Sequence, residues 1–362
     1  MASAIAKATR TEADLDRVPV RVVRFVRLAT AGGLAYAAYR VHWRVLLANF
    51  FTGPGRVSRI LMLFFALLNL KNMPFVWTYR VWSAIIYHLF IRKSPRLGPR
   101  SLFRPMISQS HAPITEIDYN IHKSNSTYFA DLDVSRTHLC TYLLRPGFRR
   151  LAHNATTGLV LDPASGKPAR GPLGIMLGAV HCSFRREITA YAPYEMWSRV
   201  LAWDRKWLYI VTHFVPKGTA RPTEWLDPKF GTARVRRGPG GGAANANADS
   251  KDWEKKIYAT GVSKYVFKIG RLTVHPAVAL EESELLPQRP DGGWQGGPNG
   301  VGDEDVDLSD VADDGAWDWR MVEKRRREGM KYAARFASMD DLHGWLDGAD
   351  GGDGSALAKF GG

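Results

Sequence analysis

The sequence predicts an α+β domain in which one long helix faces several antiparallel strands, preceded by a basic, apolar helical region. Three observations lead there. One helical pattern is followed by a run of β-rich segments, without the alternation of strands and helices that builds parallel sheets. Two of those segments flank Asp204-Arg205 as a hairpin. Ahead of them lies a stretch rich in apolar and basic residues with no acidic residue between Arg17 and Thr115.

The elements follow in order. Residues 1–16 are polar and read as a disordered start. Residues 18–50 have a helical pattern carrying Arg21, Arg24, Arg27, Arg40 and Arg44, and Gly53-Pro54-Gly55 breaks it. Residues 57–92 are strongly apolar and are expected as helix, and Pro95, Pro99 and Pro105 mark a linker. Residues 106–117 read as a strand entering a polar loop at Asp118. A helix is expected over 124–144, with Ser124 or Ser126 as its N-cap and Pro146-Gly147 at its end. Phe129, Leu132, Leu139 and Leu143 recur at helical spacing as a core face. Residues 148–172 are expected to loop out. Strands are expected at 173–189, 194–203, 206–216 and 256–269.

This divides the chain into a start at 1–16, a basic apolar region at 17–100, an α+β domain at 101–280 with an insertion at 217–255, and a tail at 281–362. The tail reads as acidic and largely disordered, with a charged helix at 317–336. The Gly-rich stretches 238–242 and 292–302 do not join a strand to a helix, so they read as linkers and not as phosphate loops. There is no internal repeat.

Charge is unevenly placed within the formal net of +15. Residues 17–115 hold 15 Lys/Arg and no Asp/Glu, whereas 281–362 hold 9 basic and 19 acidic residues. A basic, acid-free segment suits nucleic acid or an anionic membrane. The apolar content favours the membrane: residues 60–70 contain only Asn69 as a polar residue, and Trp77, Tyr79, Trp82 and Tyr87 follow beside Arg80. The run is shorter than the ~18–20 residues of a clean transmembrane helix. It reads as an interfacial or re-entrant anchor, with a helical layer packed on the α+β domain as the alternative. A chain beginning near Ser101 is then expected to fold and stay soluble. The first 30 residues lack a signal-peptide pattern, since Glu12, Asp14 and Asp16 interrupt them. The two cysteines, Cys140 and Cys182, suit a reducing, intracellular compartment more than a disulfide scaffold.

The richest stretch for chemistry is 116–128, where Asp118 precedes His122 by four residues, Asn125 by seven and Tyr128 by ten. A carboxylate in a loop at the start of a helix supplies a base or nucleophile beside free backbone amides, which is sufficient to hydrolyse a thioester. This stretch resembles the D-x-D-x-x-G-H-x-N-N-x-x-Y segment of hotdog-fold acyl thioesterases. Glu116 stands for the first acid, Ile121 for the glycine and Ser124 for the first asparagine. Arg185-Arg186, Pro193-Tyr194-Glu195 and the run from Trp203-Asp204 to Tyr209 extend the likeness to thioesterase-superfamily proteins found beside fungal biosynthetic enzymes.

That resemblance covers about 105–280 and implies a hotdog fold, a long helix wrapped by an antiparallel sheet. It also implies a homodimer with its site near the subunit interface, and hydrolysis of acyl-CoA or acyl-carrier-protein thioesters in lipid or polyketide biosynthesis. No metal or other cofactor is expected. Asp118 is then the catalytic candidate, or a brace for its loop. His122 and Asn125 either orient it or make structural loop bonds. Tyr128 lines an acyl pocket or fills the core. Arg185 and Arg186, read as strand neighbours on opposite faces, bind a phosphate or are solvated charges. A non-catalytic hotdog protein that binds acyl chains or partners at a membrane is the rival. Other chemistries fit poorly: there is no G-x-S-x-G, H-E-x-x-H or C-x-x-C, and His111 with Glu116 is a weak match to an acyltransferase H-x-x-x-x-D.

Overall fold

The computed structural model describes residues 42–93, 96–219, 224–230, 254–290 and 317–345, with shorter stretches inside 28–40 and 293–311 and at Pro222. The start at 1–16, most of the insertion and most of the acidic run at 303–314 lie outside the described residues.

Among the described residues six strands form one sheet: β1 (Met106–His111), β2 (Leu173–Phe184), β3 (Pro193–Trp203), β4 (Trp207–Pro216), β5 (Ala259–Ile269) and β6 (Leu272–Val274). The order is β1-β3-β4-β5-β2, with β6 folded back on β5, and every neighbouring pair is antiparallel. The β3–β4 hairpin closes where expected, with Trp203 opposite Leu208. Asp204 makes this turn: its Oδ1 accepts the Lys206 and Trp207 amides at 2.7 Å, and its Oδ2 accepts the Tyr209 hydroxyl at 2.8 Å. The Trp-Asp…Tyr motif is therefore a turn device.

Among the described residues from Trp43 on, the α-helices are α1 (Trp43–Thr52), α2 (Arg56–Leu68), α3 (Val76–Ile86), α4 (Thr127–Leu143), α5 (Arg145–Ala152), α6 (Asn154–Thr157), α7 (Pro276–Glu281) and α8 (Trp319–Ala337). α4 is the long helix expected at 124–144. Its Tyr128 and Leu132 pack with Met196 and Phe214, and its Leu139 and Leu143 with Val200, Ile210 and Phe267. α3 lies along it. Buried from both sides, α4 hides Asp131, Ser135 and Arg136 as well as its apolar face. A long helix held against one antiparallel sheet is the hotdog architecture.

Three expectations change. Residues 148–172 do not simply loop out, because α5 starts at Arg145 with Pro146 in its first turn, where a missing N–H costs nothing. Phe148 and Leu151 are buried. The strand expected over 106–117 stops at His111 and gives way to a short 3₁₀ turn at Ile114–Glu116. The segment beyond 280 holds more than a charged helix in water. α8 packs on β3 so closely that a Cβ at Gly329 would lie 1.9 Å from the Leu201 carbonyl oxygen.

α1 and α2 meet at 102°, and α2 exposes Leu61, Met62, Phe64 and Leu67. Among the described residues no single helix is long and apolar enough to cross a membrane, while this bent pair passes by length and composition.

Candidate active site

The loop between β1 and α4 folds into a tight turn. The Asp118 amide donates to the His122 carbonyl at 3.0 Å, and Ile117 pairs with Lys123 as an isolated bridge. Ile121 closes the turn at φ 64°, in the left-handed region where a β-branched residue is strained. This is the position where the resembling motif has glycine. The backbone geometry is retained although the glycine is not. The Ile121 side chain points into open space, 74% exposed, so the departure creates no clash.

Asp118 is half-buried. Its Oδ1 accepts the Asn120 amide at 2.9 Å, so it braces the turn, and Oδ2 has no hydrogen-bond partner among the described residues. The start of α4, at Thr127, lies nine residues on in the same loop. Ser126 is its N-cap, but no side chain caps the helix. The Ser126 hydroxyl instead meets that of Ser124 at 3.2 Å, and the Thr127 hydroxyl donates to the Ser124 carbonyl at 2.7 Å. The Thr127 amide donates to the Ser124 carbonyl at 3.0 Å and the Phe129 amide to the Ser126 carbonyl at 3.4 Å, so of the first three amides only that of Tyr128 has no partner among the described residues and is left for an anion or water.

The other sequence candidates separate. His122 Nε2 lies 3.1 Å from a carboxylate oxygen of Glu187, and its backbone pairs with Thr189. Asn125 is exposed. Tyr128 is in the core at 2% exposure, with the Phe184 and Phe214 rings each 5.0 Å away edge-on. Arg185 and Arg186 are not strand neighbours on opposite faces, because β2 ends at Phe184. Both their amides converge on the Tyr258 carbonyl, at 2.8 and 3.0 Å, and both side chains are exposed two or three positions from Ile188, whose carbonyl accepts the Lys123 amide. The thiols offer no rival nucleophile: burial pushes Cys140 up to about 12 and Cys182 up to about 11.

Beneath the loop lies a buried ion cluster that sequence reasoning did not anticipate. Lys71, in the short turn after α2, places its ammonium 2.8 Å from Glu116 and 2.8 Å from Asp131. Lys123 pairs closely with Glu116 and lies 3.1 Å from Asp131. The Tyr194 hydroxyl donates to Asp131, Ser110 donates to it at 3.2 Å, and Arg80 reaches it at 3.4 Å. Burial alone would raise the Asp131 carboxyl. The charges of Lys71 and Lys123, with hydrogen bonds from Lys71 and Tyr194, prevail and hold it well below the usual carboxylate range. Glu116 and Lys123 bracket the Asp118 turn, and the Ser124 amide donates to the Glu116 carbonyl at 2.7 Å. The cluster therefore fixes both ends of the loop. Tyr194 was visible only as part of the Pro-Tyr-Glu motif. A buried aspartate inside an amphipathic pattern was the one signal for Asp131, and nothing local marked Lys71.

This architecture agrees with the comparisons to known proteins. Residues 112–236 match the Thioesterase-like superfamily. Thioesterase poxG of Penicillium oxalicum is 36% identical over 285 residues, covering 76% of this chain and 82% of that protein. Thioesterase lcsJ of Purpureocillium lilacinum is 30% identical over 318 residues, covering 77% and 89%. Among solved structures, a hypothetical protein, TT1821, from Thermus thermophilus aligns at 11% identity and a TM-score of 0.29, over 49% of this chain and 97% of that one. With the poxG and lcsJ relatives aligned over most of both chains and the long helix seated on its antiparallel sheet, the chain belongs to the thioesterase-like superfamily and is a thioesterase of the hotdog fold.

Proposed function

We propose that the protein hydrolyses acyl thioesters carried on coenzyme A or an acyl carrier protein, with Asp118 as the reacting carboxylate. The observation that carries this is the geometry at Asp118: Oδ1 is held by the Asn120 amide, Oδ2 has no partner among the described residues, and the start of α4, without a side-chain cap, follows in the same loop. In one route Asp118 takes a proton from water as its oxygen bonds to the thioester carbon. The charge on the carbonyl oxygen is then received by the Tyr128 amide at the start of α4. Collapse of the tetrahedral intermediate breaks the C–S bond, and the leaving thiolate recovers the proton. In the other route Asp118 attacks directly, and water then hydrolyses the resulting anhydride. His122, steadied by Glu187, serves as a positioning residue for this turn. The Oδ1 bond also fits the bracing role of a non-catalytic protein, so turnover of Asp118→Asn against a panel of acyl-CoA and acyl-carrier thioesters separates the two readings.

Arg185 and Arg186 support a phosphate-bearing carrier, being exposed cations beside the loop. Each partner of a homodimer would use β2. This edge strand is 12 residues long and exposes Ile175, Met176, Leu177 and Phe184, a combination that invites pairing with another strand. α2 and the surrounding basic residues support attachment to an anionic membrane surface inside the cell. Co-sedimentation of the full chain with anionic vesicles, and release by Phe64→Asp, is the expected outcome; failure to sediment counts against the attachment.

A further inference from the structure

A groove lies along the outer edge of β1, bounded by α4 and by the turn after α3. That turn is π-helical over Tyr87–Ile91, with the Arg92 amide donating to the Tyr87 carbonyl at 2.8 Å. Such turns are frequent at functional sites. The groove has two chambers, of about 450 and about 530 Å³, which share Met106, Ile107, Gln109 and Phe230 as walls. Each volume falls within the ~300–1,000 Å³ typical of small-molecule sites.

The chambers differ in chemistry. The first is walled by Arg80, Arg92, Lys229, His88 and His138, with no carboxylate among its lining residues. The second is largely apolar, with Leu139, Leu143, Trp197 and Trp225. Its two carboxylates are neutralised, Glu224 by Arg100 at 2.7 Å and Asp227 by a close pair with Arg92 and the Tyr142 hydroxyl.

A histidine pair sits in the first chamber. His88 Nε2 is 2.9 Å from His138 Nδ1, while His88 Nδ1 is buried with no partner among the described residues. An unpaired N–H in that place costs more than a bare lone pair. The assignment that satisfies both rings puts the His88 proton on Nε2, donating to His138, and the His138 proton on its own Nε2. His138 then offers an N–H in the chamber. Of the three cations, Arg92 is held by Asp227, and Lys229 donates to the Tyr87 hydroxyl at 2.7 Å. Among the described residues the Arg80 guanidinium makes only the long 3.4 Å contacts to Asp131, so it has donors to spare.

We propose that this groove binds a long-chain carboxylate, a free fatty acid, with its head between Arg80 and His138 and its chain in the apolar chamber. One cation and one N–H match a singly charged, two-oxygen head. The site is separate from the Asp118 turn, since Thr127 and His138 are about 16 Å apart along the helix at its rise of 1.5 Å per residue. It stands whether or not Asp118 hydrolyses thioesters.

Photo-crosslinking of the full chain in neutral-lipid nanodiscs with a diazirine palmitate tests this. Label is expected within 97–109, 134–143 or 222–230, blocked by excess palmitate, less well by lysophosphatidate and not by methyl palmitate. Ile107→Trp, which fills the junction of the chambers, should cut labelling tenfold or more. Phe230→Asp, at an exposed wall of both chambers, should do the same if Ile107→Trp fails to fold. Asp118→Asn should leave labelling unchanged. Label confined to α1 and α2, or to the Asp118 turn, would overturn the proposal. So would equal competition by methyl palmitate, or undiminished labelling of folded Phe230→Asp. Stronger competition by lysophosphatidate than by palmitate would overturn the choice of a carboxylate head.

Discussion

The Lys71 ammonium lies 2.8 Å from Asp131 Oδ2, joining two residues 60 positions apart. One follows an apolar helix of the N-terminal region, and the other is inside the helix at the centre of the hotdog domain. With α3 lying along α4, this ion pair makes the N-terminal region part of the fold. The expectation that a chain beginning near Ser101 stands alone is therefore corrected. Such a chain would leave Asp131 and Glu116 buried without Lys71.

Removing one member of a buried ion pair typically costs about 3–5 kcal/mol. Lys71→Met should fall in that range in denaturant unfolding of the full chain. Lys71→Met with Asp131→Leu should recover part of the loss, because the uncompensated charge goes with it. An unchanged midpoint in Lys71→Met would show that the pair contributes nothing.

The same cluster gives an acid limb to stability. The Asp131 carboxyl is depressed in the folded chain, so the unfolded state binds its proton more readily. Its contribution is complete above the ordinary carboxylate pKa of about 3.9 and is lost as pH falls below it. Asp131→Asn should flatten the unfolding curve below about pH 4 relative to the parent, with lower stability at neutral pH. An identical acid limb in the two proteins would remove Asp131 from this role.

Ile121 holds a conformation suited to glycine, at φ 64°. Strained backbone positions of this kind cost of order 1–3 kcal/mol, offset in part by the greater unfolded-state freedom of glycine. Ile121→Gly should stabilise the chain by about 1 kcal/mol and preserve turnover, whereas Ile121→Val should not stabilise it. Destabilisation by glycine would mean that the side chain makes a contact needed in the assembled protein.

The β2 edge carries the dimer reading. Met176→Lys with Leu177→Lys should give a monomer by mass photometry and reduce turnover, since β2 runs to the segment that meets His122. A dimer that survives both charges would place the subunit contact elsewhere.

Much of this fold was legible because local signals agreed. The α4 periodicity, the Asp204 turn and the β-rich runs each stated one element, and their order excluded a parallel sheet. The Asp118 segment was legible as a motif, and the αL backbone at Ile121 shows why a changed residue did not change the turn. Less could be read where long-range packing decides. Lys71 is an ordinary lysine until α3 lies on α4, and Gly329 is an ordinary helix glycine until β3 comes within contact. The β-rich pattern runs on to Thr189 and puts Arg185 and Arg186 on opposite faces, but β2 ends five residues earlier at Phe184 and both amides turn to Tyr258. Pro146 signals a helix end in the sequence, but proline is equally at home in a first helical turn, and here it opens α5.

The most direct measurement is single-residue and quantitative: steady-state turnover of acyl-CoA and acyl-carrier thioesters by the parent and by Asp118→Asn, with thermal unfolding of both. The exchange keeps the Oδ1 acceptor for the Asn120 amide and removes the carboxylate. The expected result is a loss of roughly 10²–10⁴-fold in turnover with an unchanged unfolding temperature. Full turnover in folded Asp118→Asn would contradict the assignment and leave the carboxylate as a brace for its loop.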